Sequence, residues 1–268
     1  MSFLCFSHEQ REQKIRLSGD VNRYKLNVKK RMEFARDNGT NTLMLTSTGE
    51  ALENMESIVD VLRINRDLES PFKWVELQTS GVGLLDAILL YRDWFRDIST
   101  ISLSVVDIFD SINNANIMVM PMDRTVPINY TVAELKRMGF NVRLSINLTN
   151  IYNDVSVSQI FRRLIELEVD QVTFRKLYKS GEDTKQDKWI DENSDGFTVD
   201  RIALYIKDHG QELERLPFGA MKYSVEGIST VVDDDCMAKE MKNVLKYMII
   251  REDGKLYTKW DDKGSLIF

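Results

Sequence analysis

Short apolar or β-branched runs alternate with longer stretches whose apolar residues recur every three or four positions, from about residue 24 to residue 174. No other property of the chain restricts its fold as strongly. Residues 42–46, 74–79, 100–105, 142–148 and 171–174 read as strands, each short, apolar and bounded by polar or turn residues. Residues 24–37, 52–68, 84–95, 131–138 and 157–167 read as amphipathic helices. Repeated strand–helix units with connections of this length require a parallel sheet. The right-handed crossover rule lets such a sheet curl into a barrel or spread as an open doubly wound layer, and periodicity does not choose between them. Asn38-Gly39 and Gly139 stand where a helix must stop before the first and fourth strands.

Beyond these units the pattern changes. Residues 180–193 (SGEDTKQDKWIDEN) are polar and lack an apolar period, so they read as a linker or long surface loop. This boundary divides the chain into residues 1–180 and a carboxy-terminal extension, 181–268. The extension carries a helical pattern at 198–207 and strand-like pieces at 221–232, 245–250, 255–260 and 265–268. Glu252-Asp253-Gly254 and Asp262-Lys263-Gly264 separate the last three, which predicts small antiparallel hairpins in an α+β region.

Composition narrows the function classes. A net charge of −6 argues against a broad nucleic-acid surface. No run approaches the roughly 18 apolar residues of a membrane span, and the expected compartment is the cytoplasm. Cys5 and Cys236 are the only two cysteines, too few for a disulfide framework. With His8 and His209 as the only histidines, neither a zinc-binding pair nor a Ser-His-acid arrangement is visible, and there is no Walker-type loop.

The apolar run Leu43-Met44-Leu45 leads into Thr46-Ser47-Thr48-Gly49-Glu50-Ala51, an acid presented at a strand end. Val75-Glu76-Leu77-Gln78-Thr79-Ser80-Gly81, Ile101-Ser102-Leu103-Ser104, Val142-Arg143-Leu144-Ser145-Ile146-Asn147 and Val172-Thr173-Phe174-Arg175 follow in order. Over roughly residues 1–178 this series resembles the radical S-adenosylmethionine (radical SAM) superfamily. Thr48-Gly49-Glu50-Ala51 is similar to that family's "GGEP" motif, with Thr for the first Gly and Ala for Pro. Thr79-Ser80-Gly81 is similar to its "TNG", and Ser102-Leu103-Ser104 to its "iSlS" strand.

The resemblance implies a partial (β/α) TIM-type barrel with parallel strands. It also implies S-adenosylmethionine and a [4Fe–4S] cluster as cofactors. Cofactor contacts would come from Thr48, Gly49, Glu50, Gln78, Ser102, Ser104, Asn147 and Arg175, at or near strand ends. The family's cluster loop is C-x3-C-x2-C, because soft thiolates suit iron–sulfur chemistry. Here Cys5-Phe6-Ser7-His8 matches only its end: Cys5 is the one metal ligand implied, and three places before it stands Ser2. Two of the three cysteines and the first barrel strand are missing. The chain then either starts at an internal methionine of a longer or decayed gene, or is a complete barrel that works without a cluster.

Two functional classes follow. One is a radical SAM enzyme, cleaving S-adenosylmethionine reductively and acting on a small-molecule or peptide substrate. The other is a cluster-free barrel that binds a small molecule or a protein. Loss of the first strand would expose the sheet edge beside residues 42–46 and invite a homodimer or partner chain. Several residues also have plain structural readings. Glu50 suits a helix-starting turn, Ser and Thr on strands satisfy backbone groups, and residues 117–122 read as buried packing or an interaction surface. Asp233-Asp234-Asp235 reads as a solvated turn. Arg175 could clamp a carboxylate or phosphate, or pair with an acid inside the barrel.

Overall fold

Helix α1 (Val21–Asp37) turns Val28, Met32 and Ala35 inward at helical spacing. It ends at Gly39, whose φ of +90° a side chain would resist, with the Thr40 amide donating to the Ala35 carbonyl. The computed structural model describes residues 21–47, 49–179, 181, 183–216, 219–233, 245, 247–251, 253–259 and 263–267. Cys5, His8, Thr48, Asp234, Asp235 and Cys236 lie outside the described residues.

From α1 the chain alternates as the periodicity requires: β1 (Thr42–Leu45), α2 (Met55–Arg66), β2 (Trp74–Thr79), α3 (Leu84–Leu90) and α4 (Arg92–Phe95), then β3 (Thr100–Val105). Next come α5 (Ser111–Ile117), α6 (Ile128–Arg137), β4 (Asn141–Asn147), α7 (Val157–Glu166) and β5 (Gln171–Arg175). After residue 180 follow α8 (Lys185–Asn193), α9 (Phe197–His209), β6 (Gln211–Arg215), β7 (Met221–Val225) and β8 (Ile228–Asp233), then the short pair β9 (Ile249–Ile250) and β10 (Leu256–Tyr257).

Eight strands form one sheet in the order β1-β2-β3-β4-β5-β8-β7-β6. β1 to β5 and β8 are parallel, while β7 and β6 complete it as antiparallel strands. The architecture is a partial (β/α) barrel extended by antiparallel hairpins, with β1 and β6 as its two edges among the described residues. Strand alternation gives the sheet two unlike faces. Val75, Leu77, Ile101, Leu103, Val142, Leu144, Val172 and Phe174 point to the helices and form the main core. Each such side chain, fully buried, contributes about 1.5–3 kcal/mol. A second cluster joins α1 to Ile64, Leu68 and Phe72, with Met248 and Ile250 of the carboxy-terminal segment packed against it.

Several expectations change. Residues 185–193, read as linker, form α8: Thr184 caps the Asp187 amide and Ile190 is buried. Polar composition hid that helix because Gln186 and Asp187 are buried too. The piece 221–232 is two strands, β7 and β8, folded at Glu226-Gly227, both with positive φ as a two-residue hairpin needs. The pattern at 84–95 breaks at Tyr91 into α3 and α4, and α5 and β6 had no counterpart. β8 lies beside β5, so residues on both sides of position 180 share one sheet. Among the described residues no helix is long and apolar enough to cross a membrane.

The sheet edges differ in kind. β6 (QELER) is exposed throughout, carries three charges and shifts register between Glu212 and Glu214. β1 (TLML) has no charge and pairs with β2 without a shift.

Candidate functional site

The face turned away from the helices is polar and concave. Register places its residues in rows: Gln78, Ser102, Arg143, Gln171 and Ser229 form one, and Ser104, Ser145, Thr173 and Val231 the next. Asn147, Arg175 and Asp233 form the row nearest the carboxyl ends. Together with the loops above them, these strands line an open cleft of ≈ 2440 Å³. That exceeds the roughly 300–1,000 Å³ of a small-molecule pocket, as expected of a barrel open along one side.

In the lower rows the polar groups satisfy one another. Arg143 places Nη1 2.7 Å from Glu76 Oε2, while its Nε and Nη2 donate to Gln171 Oε1 at 3.0 and 2.6 Å. Gln78 Nε2 donates to Glu76 Oε1 at 3.0 Å. The Glu76 side chain is only 6% exposed, and this pairing supplies the partners that a buried carboxylate requires. Ser102, 2% exposed, is covered in the same row.

At the rim above β2 the geometry centres on Glu50. One carboxylate oxygen accepts from the Leu52 amide at 3.2 Å and from Thr79 Oγ1 at 2.6 Å. The other accepts from the Ser80 amide at 2.8 Å and Ser80 Oγ at 2.5 Å. Four bonds use all the acceptor positions a carboxylate offers. Glu50 thus caps the 3-10 turn Ala51–Asn54, the helix-starting role, and ties the β1 loop to the end of β2. Gly81 then turns at φ +90°, where an added Cβ would sit 3.0 Å from Val126 Cγ1. The segment after α5 therefore passes directly against the end of β2.

The loop after β3 is fixed from within. Asn114 Oδ1 accepts from the Val106 and Asp107 amides at 2.7 and 3.2 Å. Tyr152 donates its hydroxyl to the Val106 carbonyl at 2.6 Å. Burial, together with the nearby Asp107 charge, pushes the Tyr152 phenol far above its ordinary range, so it stays a donor at any working pH.

Of the residues singled out from sequence, Gly49, Glu50, Gln78, Ser104, Asn147 and Arg175 line the cleft. Gly49 donates its amide to Ser47 Oγ at 3.1 Å. Ser102 lies on the same face beside Arg143, while Thr48 and Cys5 lie outside the described residues. Sequence reasoning missed Glu76, Arg143, Ser145 and Thr173; the polar half of each strand's alternation was the available signal.

No protein-family model and no curated protein matches the chain. It is similar to the crystal structure of Streptococcus suis SuiB bound to S-adenosylmethionine, with TM-score 0.43 and 15% identity over 69% of this chain and 38% of that one. It is similar also to a second Streptococcus suis SuiB crystal structure, with TM-score 0.46 and 15% identity over 69% of this chain and 40% of the other. The match thus spans less than half of each SuiB chain.

Proposed function

We propose that this chain is a radical SAM-like barrel that binds S-adenosylmethionine across the carboxyl ends of its parallel strands. One observation carries the reading. Gly49-Glu50 and Thr79-Ser80-Gly81, two motifs of the sequence resemblance, meet at one rim of the cleft through the Glu50 carboxylate. Because Glu50 is fully bonded, its part is to shape the loop, and main-chain groups around Gly49 would receive the cofactor's amino group. Ser104 and Asn147, further along the same face, suit hydroxyl and ring-nitrogen partners.

The donor set fits S-adenosylmethionine better than it fits the cluster. A family-type [4Fe–4S] site takes three thiolates, and the chain has two cysteines, both outside the described residues. Among the described residues no group of three His, Cys, Asp or Glu could hold a metal ion. The reading therefore rests on the S-adenosylmethionine cleft alone.

Calorimetry with S-adenosylhomocysteine tests the reading. One molecule should bind per chain, and Ser104→Ala with Asn147→Ala should weaken it about tenfold, or ~1.4 kcal/mol. Absence of binding up to about 1 mM would sink the proposal. Iron analysis after anaerobic reconstitution separates the two classes: fewer than about one iron per chain leaves the cluster-free barrel.

A second copy pairing along β1 belongs to the same reading, because among the described residues that strand is an uncharged edge whose Met44, like Trp74 of β2, is exposed. Light scattering should show a dimer that Met44→Lys dissociates. A wild-type monomer at about 100 μM would remove this part.

A further inference from the structure

Two arginines project into the concave face, and only one has partners. Arg143 is bonded through all three guanidinium nitrogens. The side chain of Arg175, in the row nearest the carboxyl rim, makes no hydrogen bond or ion pair among the described residues, and its Nε is buried without an acceptor. A guanidinium keeps its charge at any ordinary pH and cannot relieve this by losing a proton. Asp233 stands opposite it in the β5–β8 register but is engaged elsewhere and forms no ion pair with it. On the other side stands Asn147, whose side-chain amide supplies further donors.

Position decides which oxyanion this cation serves. Arg175 lies on β5, three strands from the Thr79-Ser80 end of β2, which at about 4.8 Å per strand is roughly 14 Å. The amino and carboxylate groups of an amino acid share one carbon and lie only about 3 Å apart. A cofactor whose amino group rests in the Gly49–Glu50 loop therefore has its carboxylate beyond the reach of Arg175. We propose that Arg175, assisted by Asn147, binds the carboxylate or phosphate of a second ligand, so that the substrate is an acid. The assignment to a second ligand rests on the cofactor reading above; the anion site itself does not.

Inorganic phosphate and acetate are suitable probes, titrated by thermal shift and calorimetry with and without saturating S-adenosylhomocysteine. At least one of the two should bind wild-type protein, with affinity changed less than about twofold by S-adenosylhomocysteine. Arg175→Gln should weaken that probe at least about fivefold, Arg175→Lys less, and both should leave S-adenosylhomocysteine affinity within about twofold of wild type. The unliganded melting temperature of Arg175→Gln should be preserved, since Arg175 has no bond to lose; Arg175→Lys keeps the charge should the glutamine variant fail to fold. No binding of either probe at about 50 mM, or binding indifferent to both substitutions, overturns the proposal. Competition between probe and S-adenosylhomocysteine, joined to weaker S-adenosylhomocysteine binding by Arg175→Gln, assigns Arg175 to the cofactor's carboxylate and overturns it as well. If S-adenosylhomocysteine never binds while phosphate binding still depends on Arg175, the cofactor reading fails and the anion site stands.

Discussion

The amino-end and carboxyl-end halves of the concave face are built from the same strands and the same residue types, yet they treat charge in opposite ways. Below, Arg143, Glu76, Gln78 and Gln171 close on one another and leave little to offer a ligand. Above, the Arg175 side chain is unpartnered, Ser104, Asn147 and Thr173 line the cleft, and Glu50 on the β2 rim is spent on tying two loops together. A sheet can be made rigid by satisfying its polar groups, or receptive by withholding partners from them. This one does the first at its floor and the second at its rim, and stability and binding should separate accordingly.

The largest break in that contrast should come from the floor. Arg143→Met leaves the buried Glu76 carboxylate without its cation and should cost about 3 kcal/mol in urea unfolding. Adding Glu76→Leu should return most of that loss, because the pair then gives way to apolar packing. Glu50→Ala should follow at about 2 kcal/mol, since charge-assisted bonds to Leu52, Thr79 and Ser80 vanish together. A loss as small as that of an exposed carboxylate would show that Glu50 does not hold the rim.

Relieving the rim should act in the other direction. Val119, a cleft-lining β-branched residue at φ 54°, closes α5 in the position glycine prefers. Val119→Gly should raise stability by about 1 kcal/mol. Smallest of all, Arg175→Gln should change unfolding free energy by less than about 0.5 kcal/mol. A cost comparable to that of Arg143→Met would erase the distinction between floor and rim.

The sequence made the parallel half of the fold legible, because strands such as β2 and β3 place Val75, Leu77, Ile101 and Leu103 at every second position against the helices. The same alternation placed Gln78, Ser104, Asn147 and Arg175 on the opposite face. What it could not give was partnership. Glu76 and Arg143 meet only because β2, β3 and β4 stand side by side, and nothing local to either residue distinguishes Arg143, which is paired, from Arg175, which is not. Glu50 shows the same limit: its bonds to Thr79 and Ser80 join two loops brought together by β1–β2 pairing. β6 and α8 escaped notice for another reason. One buries none of its residues and the other buries Gln186 and Asp187, so neither shows an apolar rhythm.

The neighbour that β5 finds in β8 also sets a timetable for synthesis. β5 is complete once Arg175 leaves the ribosome, but its partner begins only at Ile228, after two helices and two strands have been made. At about 5–20 residues per second that interval lasts roughly 3–10 s, during which the backbone of a strand carrying Val172 and Phe174 has one side unpaired. The nascent chain would then be most open to chaperone capture or mispairing while its last third is still being made.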